Sequence, residues 1–123
     1  MKNINSYIKN TVNIKKNLNY VLIIGLTPSK GARSPKLWNK VYKKNKSQIR
    51  MYPADVEKKK LKNFVKFLKK EKSFLGGSIT APYKVDMLKY LDIISSDAKK
   101  IGSINTIVKR NQKLIGFNSD YFG

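Results

Sequence analysis

The sequence predicts an α/β protein in which an open, mostly parallel sheet lies between two helical layers. A continuous apolar run, Tyr20 to Thr27, is typical of a strand buried on both faces. Strand-like and helix-like segments then alternate along the chain, which is the pattern of parallel α/β folds. Two strand-like segments near the C-terminus are separated by a tight turn. They add an antiparallel hairpin to this three-layer α/β/α arrangement.

A chain of 123 residues fits one domain with one core. Residues 1–18 are polar with weak periodicity, and we interpret them as an N-terminal extension to a domain over residues 19–123. A loop rich in Pro, Gly and Ser follows the first strand. Ser34 and Pro35 then fit a helix N-cap and first helical position, and apolar residues at helical spacing continue this helix to about Asn45.

The middle of the chain predicts a second strand and a strongly amphipathic helix. Residues 48–56 alternate like a strand that stops at Pro53 or soon after, and Asp55 is a candidate cap for the next helix. That helix carries many lysines around one apolar stripe, which consists of Leu61, Phe64, Val65 and Leu68. Such a helix can lie on an anionic membrane, but it is more often a surface helix of an α/β layer, and we favour the surface helix.

The last third of the chain predicts a strand over residues 73–80 and a helix from Lys84 through Tyr90. A short helix follows from Ser96 or Asp97 to Ile101. Two strands, over residues 103–110 and 113–118, are joined at Asn111 and Gln112. Ser119 or Asp120 takes the N-cap position of a following helix.

The residue types restrict the chemistry. The chain contains no cysteine, which excludes disulfides and thiolate catalysis, and no histidine, which removes the commonest general base and metal ligand. The seven acidic residues are scattered, so we expect no metal site. Acid–base chemistry must therefore use Lys, Tyr, Asp or Glu.

The net charge of +20 has two interpretations. Clustered cations bind nucleic-acid phosphates, whereas lysines on solvent faces give only nonspecific attraction to polyanions. The cations are overwhelmingly lysine, with only Arg33, Arg50 and Arg110 as arginines, and specific readers of bases and phosphates favour arginine. We therefore expect no specific nucleic-acid partner. No apolar segment is long enough to cross a bilayer and no secretory signal is visible, so we expect a cytoplasmic protein without a membrane partner.

Three polar clusters carry the candidate chemistry. They are GGSITAPYK over residues 76–84, INT over residues 104–106 and GFNSD over residues 116–120. In open parallel sheets, ligands bind beyond the carboxyl ends of the strands, and the first and third clusters fall at such ends. Together they supply one amine, one carboxylate and several neutral hydrogen-bonding groups. This set suits proton transfer on a hydroxylated small molecule.

These segments resemble the shikimate dehydrogenase family. GGSITAPYK is similar to the family's glycine–x–asparagine–valine–threonine–x–proline–x–lysine segment, and IGSINTIV is similar to its IGAxNT stretch. GFNSDYFG resembles G-x-N-T-D-G-x-G, and GLTPSKGARSPKLWN resembles the first loop, which ends in Ser-x-Ser-Pro. The four segments occur in the family's order and cover about residues 19–123.

The resemblance implies the substrate-binding domain of an enzyme that reversibly reduces 3-dehydroshikimate to shikimate with NADP, in aromatic amino-acid synthesis. By match, Lys84 would be the catalytic lysine and Asp120 its partner carboxylate. Ser34, Thr80 and Asn105 would donate or accept hydrogen bonds to the substrate, a small polyhydroxylated cyclic carboxylate.

Two departures from the family pattern refine this expectation. Ala32 stands where the first serine of Ser-x-Ser-Pro would help to hold the substrate carboxylate, so we hypothesise that Arg33 or Lys30 binds it instead, and a quinate-like or amino-substituted substrate is an alternative. No G-x-G-x-x-G fingerprint occurs, so we expect no cofactor-binding residue here, an NADP-binding domain outside this chain, and no turnover by the chain alone. Alternative functions are a non-catalytic small-molecule-binding module and, less favoured, a polyanion binder.

Overall fold

A computed structural model of the protein describes residues 3–119. Its centre is a six-stranded sheet with the strand order β2-β1-β3-β5-β6-β4. The strands are β1 Tyr20–Gly25, β2 Arg50–Asp55, β3 Phe74–Ile79, β4 Ile93–Ile94, β5 Thr106–Arg110 and β6 Lys113–Phe117. Only β5 runs antiparallel to its neighbours in this sheet. The predicted mostly parallel sheet with a C-terminal hairpin is therefore confirmed.

Helices lie on both faces of the sheet. They are α1 Ser34–Lys44, α2 Lys58–Lys70, α3 Tyr83–Asp86 and α4 Ser96–Ile101, with 3₁₀ turns at Ile4–Ser6, Pro28–Lys30 and Met87–Tyr90. The apolar stripe predicted for α2 is buried in the core with Leu22 and Ile24 of β1, and α3 and α4 join this layer. Within residues 3–119, α1 alone forms the opposite layer. No helix in this part of the chain is both long enough and apolar enough to cross a bilayer.

Two predicted helix caps are wrong. Ser34 is the first residue of α1 rather than its cap, and Arg33 takes the cap position without a side-chain hydrogen bond to the helix. Asp55 does not cap α2, because its carboxylate turns back to bind Ser29. The helix predicted from Lys84 to Tyr90 is α3 followed by a 3₁₀ turn.

The N-terminal segment contributes to the core. Ile4, Ile8 and Val12 are each 7% exposed and belong to the same apolar cluster as the buried residues of β1 and α2. Asn5 holds this segment in shape, since its side-chain amide accepts a hydrogen bond from Val12 N and donates one to Val12 O. The segment therefore packs against the sheet instead of leading away from it.

Side chains cover the free edge of β2. Asn39 of α1 accepts from Met51 N at 2.6 Å and donates to Met51 O at 3.0 Å. Asn10 donates to Pro53 O at 2.9 Å and accepts from Asp55 N at 2.8 Å, while Lys9 N donates to Asp55 O. Since proline has no N–H, every outward backbone group of these alternate residues is hydrogen-bonded.

A buried carboxylate anchors the loop that follows β1. Asp55 is 5% exposed, and it accepts hydrogen bonds from Ser29 N at 2.9 Å and from the Ser29 hydroxyl. No ion pair reaches this carboxylate within residues 3–119. Because a buried charge requires hydrogen bonds in place of water, the pair fixes the Pro28–Lys30 turn against the end of β2. That turn leads into the start of α1.

We expect Asn39→Ala to lower the free energy of unfolding by about 1–3 kcal/mol, because Met51, only 4% exposed, loses partners for both its N–H and its C=O. Urea denaturation followed by circular dichroism measures the change. Asn63→Ala in α2 is the matched control, since Asn63 is an exposed helical asparagine. Equal midpoints for the two variants would contradict this role of Asn39.

Ser29→Ala removes the hydroxyl that donates to the buried Asp55 carboxylate, and a hydrogen bond to a charged group contributes about 1.5–3 kcal/mol. We expect a loss of stability of this size, together with faster amide hydrogen exchange at residue 29. Ser96→Ala, at an exposed position in α4, serves as the control. Unchanged exchange at residue 29 would show that the pair does not hold the turn.

Candidate functional site

The polar clusters meet at one edge of the sheet. Thr80 directly follows the carboxyl end of β3, and Asn105 directly precedes β5. Because β5 runs antiparallel to β3, its first residues lie at the edge where the parallel strands end. Register confirms this placement, since Ser78 near the end of β3 pairs with Thr106 at the start of β5. This edge is where open α/β sheets bind ligands.

The turn after β3 is held by backbone hydrogen bonds. Thr80 N donates to Ile24 O at 2.8 Å, and Tyr83 N donates to Thr80 O at 3.1 Å. The Ala81–Pro82 peptide bond in this turn is cis. A Cβ at Gly25 would clash with the Thr80 methyl group, so glycine at the end of β1 allows Thr80 to lie against that strand.

Lys84 and Asn105 are fixed to the same framework. Ile104 N donates to Lys84 O at 2.9 Å, and Ile79 N donates to Asn105 O at 2.9 Å. These two bonds join α3, the end of β3 and the segment before β5. The Lys84 side chain is exposed, and no carboxylate within residues 3–119 pairs with it.

The Asn105 amide is oriented by its own neighbours. Its NH₂ group donates to the Ser119 hydroxyl at 2.9 Å, and its oxygen accepts from Ser119 N at 3.0 Å and Thr106 Oγ1 at 2.8 Å. Both lone pairs of the oxygen are therefore used, while an amide carries a second N–H. Ser119 is a site-forming residue that the sequence identified only as a possible helix cap. Its place in the GFNSD segment was the available signal.

Tyr83 is a structural group rather than a proton-transfer group. Its hydroxyl donates to Val56 O at 2.6 Å in the core. Burial, with smaller contributions from the charges of Asp86 and Glu57, raises the pKa of Tyr83 above its ordinary value. The phenol therefore stays protonated at neutral pH and links α3 to the start of α2.

Within the described part of the chain, the other predicted residues are not bonded to this group. Ser34 and Arg33 stand at the start of α1, and no hydrogen bond or ion pair within residues 3–119 joins them to Thr80, Lys84 or Asn105. Arg33 lines a surface cavity with Lys36 and Ser29. Asp120 lies outside the described residues.

Three polar side chains thus present an amine, a hydroxyl and an amide at one edge, namely Lys84, Thr80 and Asn105. The arrangement suits a ligand with several hydroxyl groups, because Lys84 and the remaining Asn105 N–H can donate hydrogen bonds and the Thr80 hydroxyl can donate or accept. Within residues 3–119 no cluster of three or more carboxylate, imidazole or thiol groups is placed to hold a metal ion. The described residues of this site can therefore form hydrogen bonds and transfer protons.

Known proteins are similar to this chain in sequence and in fold. A curated relative, the NADP(+) shikimate dehydrogenase of Clostridium beijerinckii, is 42% identical over 90 residues, which are 73% of this chain and 33% of that protein. The chain therefore spans about a third of this relative's length.

Two solved structures have TM-scores of 0.78 to this protein. One is a shikimate dehydrogenase from Peptoclostridium difficile, 31% identical, with 85% of this chain and 39% of that chain covered. The other is the ligand-free 5-ketofructose reductase of a Gluconobacter species, 27% identical, with 86% and 38% covered.

The family model described as the shikimate dehydrogenase substrate binding domain matches residues 23–107. The match includes Thr80, Lys84 and Asn105, and it spans more than half of the chain. This protein belongs to the shikimate dehydrogenase substrate-binding domain family.

Proposed function

We propose that this chain is the substrate-binding part of an NADP-dependent shikimate 3-dehydrogenase-like oxidoreductase, acting on 3-dehydroshikimate and shikimate or a close analogue. The observation that carries the proposal is the placement of Lys84, Thr80 and Asn105 around one sheet edge by backbone hydrogen bonds. A lysine on a short helix after a parallel strand is usually one more solvated cation. Here the same sheet edge also carries Thr80 and Asn105, whose side chains can form hydrogen bonds with hydroxyls.

In the proposed reaction, Lys84 exchanges a proton with the reacting oxygen of the substrate. When the alcohol is oxidised, its O–H proton would pass to the Lys84 side chain and the hydride of its C–H bond would be accepted by the cofactor when that is bound, and the reverse transfers would reduce the ketone. Asp120 is proposed to pair with Lys84 and orient the ammonium group. Thr80 and Asn105 would fix the other ring hydroxyls, because a site that leaves a buried polar group unpaired loses affinity.

NADP is part of this proposal because the Clostridium beijerinckii enzyme is named for it. That enzyme is about three times as long as the matched region. The cofactor supplies hydride chemistry when bound. The residues of this chain do not fit a dinucleotide, because no G-x-G-x-x-G turn occurs in the sequence. We propose that a separate cofactor domain completes the site, and that this chain alone does not turn over substrate.

The substrate is proposed to carry a carboxylate and several hydroxyls. Ala32 removes one hydroxyl from the first loop, while Arg33 and Lys36 line a cavity beside it. Arg33 is therefore our candidate for the carboxylate contact. The similarity to 5-ketofructose reductase supports a fold that accepts more than one polyhydroxylated ketone.

We expect Lys84→Met to weaken shikimate binding by about ten- to a hundredfold, because a hydrogen bond from a charged donor contributes about 1.5–3 kcal/mol. Titration of ¹⁵N-labelled protein with shikimate measures affinity and maps the site. In the wild type, saturable shifts should centre on Thr80, Lys84 and Asn105. Lys99→Met, at an exposed lysine of α4, should bind like the wild type. Shifts centred elsewhere, or equal affinities for both variants, would sink the proposal.

Arg33→Ala should abolish the preference for an anionic ligand, because the guanidinium is proposed to bind the carboxylate. Affinities for shikimate and for its uncharged methyl ester are compared in the wild type and the variant. The wild type should favour the acid, whereas the variant should bind both equally. Arg110→Ala, at the exposed C-terminal end of β5, is the control. Persistence of the preference in Arg33→Ala would assign the carboxylate to another group, such as Lys30.

A further inference from the structure

A cavity lies at the edge of the sheet opposite the candidate functional site. It forms between the N-terminal segment and the residues that lead into β1 and β3, and its volume is about 420 Å³. Small-molecule sites in proteins typically occupy about 300–1,000 Å³. Tyr20 begins β1 and Gly25, against which Thr80 lies, ends it, so about 17 Å of strand separates the two edges. We call this space the N-terminal cavity.

The N-terminal segment forms one wall of the N-terminal cavity. Asn5 holds the segment in shape, because its side chain is hydrogen-bonded to both backbone groups of Val12. The turn that follows is closed by a hydrogen bond of 3.3 Å from Leu18 N to Lys15 O. This wall offers both apolar surface and positive charge. The residues that supply them are Ile4, Val12, Ile14 and Leu18, together with the exposed Lys15 and Lys16.

Tyr20 lines the N-terminal cavity and carries a buried hydroxyl. The residue is only 2% exposed, and its ring packs against Tyr52 and Phe74 at centroid distances of 6.4 and 5.9 Å. Within residues 3–119 the hydroxyl forms no hydrogen bond of ordinary geometry. Buried polar groups in folded proteins almost always have a hydrogen-bond partner. The unsatisfied hydroxyl therefore points to a ligand that supplies one.

Glu71 is the only acidic residue among the described residues that line the N-terminal cavity. The chain carries 27 lysines and arginines, yet no salt bridge within residues 3–119 reaches this carboxylate. The ammonium group of Lys109 donates to the backbone carbonyl of Glu71 instead. Burial, and after it the charge of Glu71, raises the pKa of Tyr20, so the hydroxyl stays protonated beside the carboxylate.

The charges around the cavity select a class of ligand. A carboxylate and a hydroxyl that lie side by side can both accept hydrogen bonds from an ammonium group. Lys15 and Lys16 can bind a carboxylate on the other side of the same cavity. These lysines repel a simple cation, and Glu71 repels a simple anion. A zwitterion with some apolar surface satisfies all of these groups.

We propose that the N-terminal cavity binds an α-amino acid with an apolar side chain. The ammonium group of the ligand donates hydrogen bonds to the Glu71 carboxylate and the Tyr20 hydroxyl. Its carboxylate pairs with Lys15 or Lys16, and its side chain contacts the apolar part of the N-terminal segment. The ligand joins this segment to the start of the sheet. The site is built from other residues than those around Lys84, so its use does not depend on the function proposed above.

Leucine and two analogues that each lack one charge test the proposal. Leucinamide keeps the ammonium group, and 4-methylpentanoate keeps the carboxylate. The whole chain, labelled with ¹⁵N, is titrated at about 0.15 M salt, which screens nonspecific attraction between exposed charges. We expect leucine to give saturable shifts centred on residues 15–20 and 71–73. Leucine should bind at least about tenfold more tightly than either analogue, because each analogue loses a charge-assisted hydrogen bond.

Variants of the two acceptor groups assign their roles. Tyr20→Phe should weaken leucine binding by about tenfold without lowering the urea midpoint, because the lost hydroxyl has no hydrogen bond in the free protein. Tyr52→Phe, which changes a neighbouring ring outside the cavity lining, is the control. Glu71→Gln should abolish the preference for leucine over 4-methylpentanoate. Glu57→Gln, at the start of α2, should keep that preference.

The two lysines are tested together. Lys15→Met with Lys16→Met should abolish the preference for leucine over leucinamide, because no cation of the N-terminal segment then faces the ligand carboxylate. Lys43→Met with Lys44→Met, in the last turn of α1, removes the same charge elsewhere and should keep the preference. Urea midpoints establish that each variant is folded.

Four results would overturn the proposal. The first is the absence of saturable shifts with leucine, and the second is equal affinity for leucine and both analogues. Unchanged leucine affinity in both Tyr20→Phe and Glu71→Gln would place the amino acid elsewhere. Shifts centred on Thr80 and Asn105 would show that leucine occupies the candidate functional site rather than the N-terminal cavity.

Discussion

The site depends on how closely β3 approaches its two neighbours. Strand β3 pairs with parallel β1 on one side and antiparallel β5 on the other, and a Cβ at Gly77 or Gly76 would clash with the backbones of Leu22 and Ile107. Both glycines have positive φ values, 154° and 141°, which other residues rarely adopt. If β5 ran parallel, Asn105 would lie at the opposite edge, about 17 Å from Thr80 for a strand of five residues. The reversal of one strand therefore brings the two motifs together.

Features encoded by local pattern were predictable from the sequence. The apolar run of β1, the stripe of α2 and the turn at Asn111, whose φ is 58°, all have the predicted structure. Contacts between a side chain and backbone that is distant in sequence were not predictable, because local periodicity carries no information on such contacts. Asn10 meets β2 more than forty residues away, and Ser29 meets Asp55 across 26 residues. The two-residue strand β4 is also too short to leave a periodic signal.

The residues of the candidate site also divide into those that local pattern predicts and those that depend on contacts distant in sequence. Thr80, Lys84 and Asn105 occur in motifs that end or begin strands, so topology alone gathers them at one edge. The roles of Arg33 and Ser34 depend on the shape of the loop that follows β1, and their part in ligand binding stays a prediction. The GFNSD segment was a signal that Ser119 lies near the site, but its hydrogen bond to Asn105 could not be foreseen, because it joins two residues fourteen positions apart. Asn105 is therefore held in place before any ligand arrives, which reduces the entropy lost on binding.

The side chains of Asn10 and Asn39, which cover the edge of β2, restrict how this protein can assemble. An exposed strand edge normally recruits another strand, and this is a common route to aggregation and to continuous sheets between subunits. Here one end of the sheet is already hydrogen-bonded by asparagines, and the other is a strand of only two residues. Growth of the sheet by strand addition is blocked at β2 and has almost no template at β4. Partners of residues 3–119 must therefore bind without extending the sheet, so that side chains rather than strand backbone set the choice of partner.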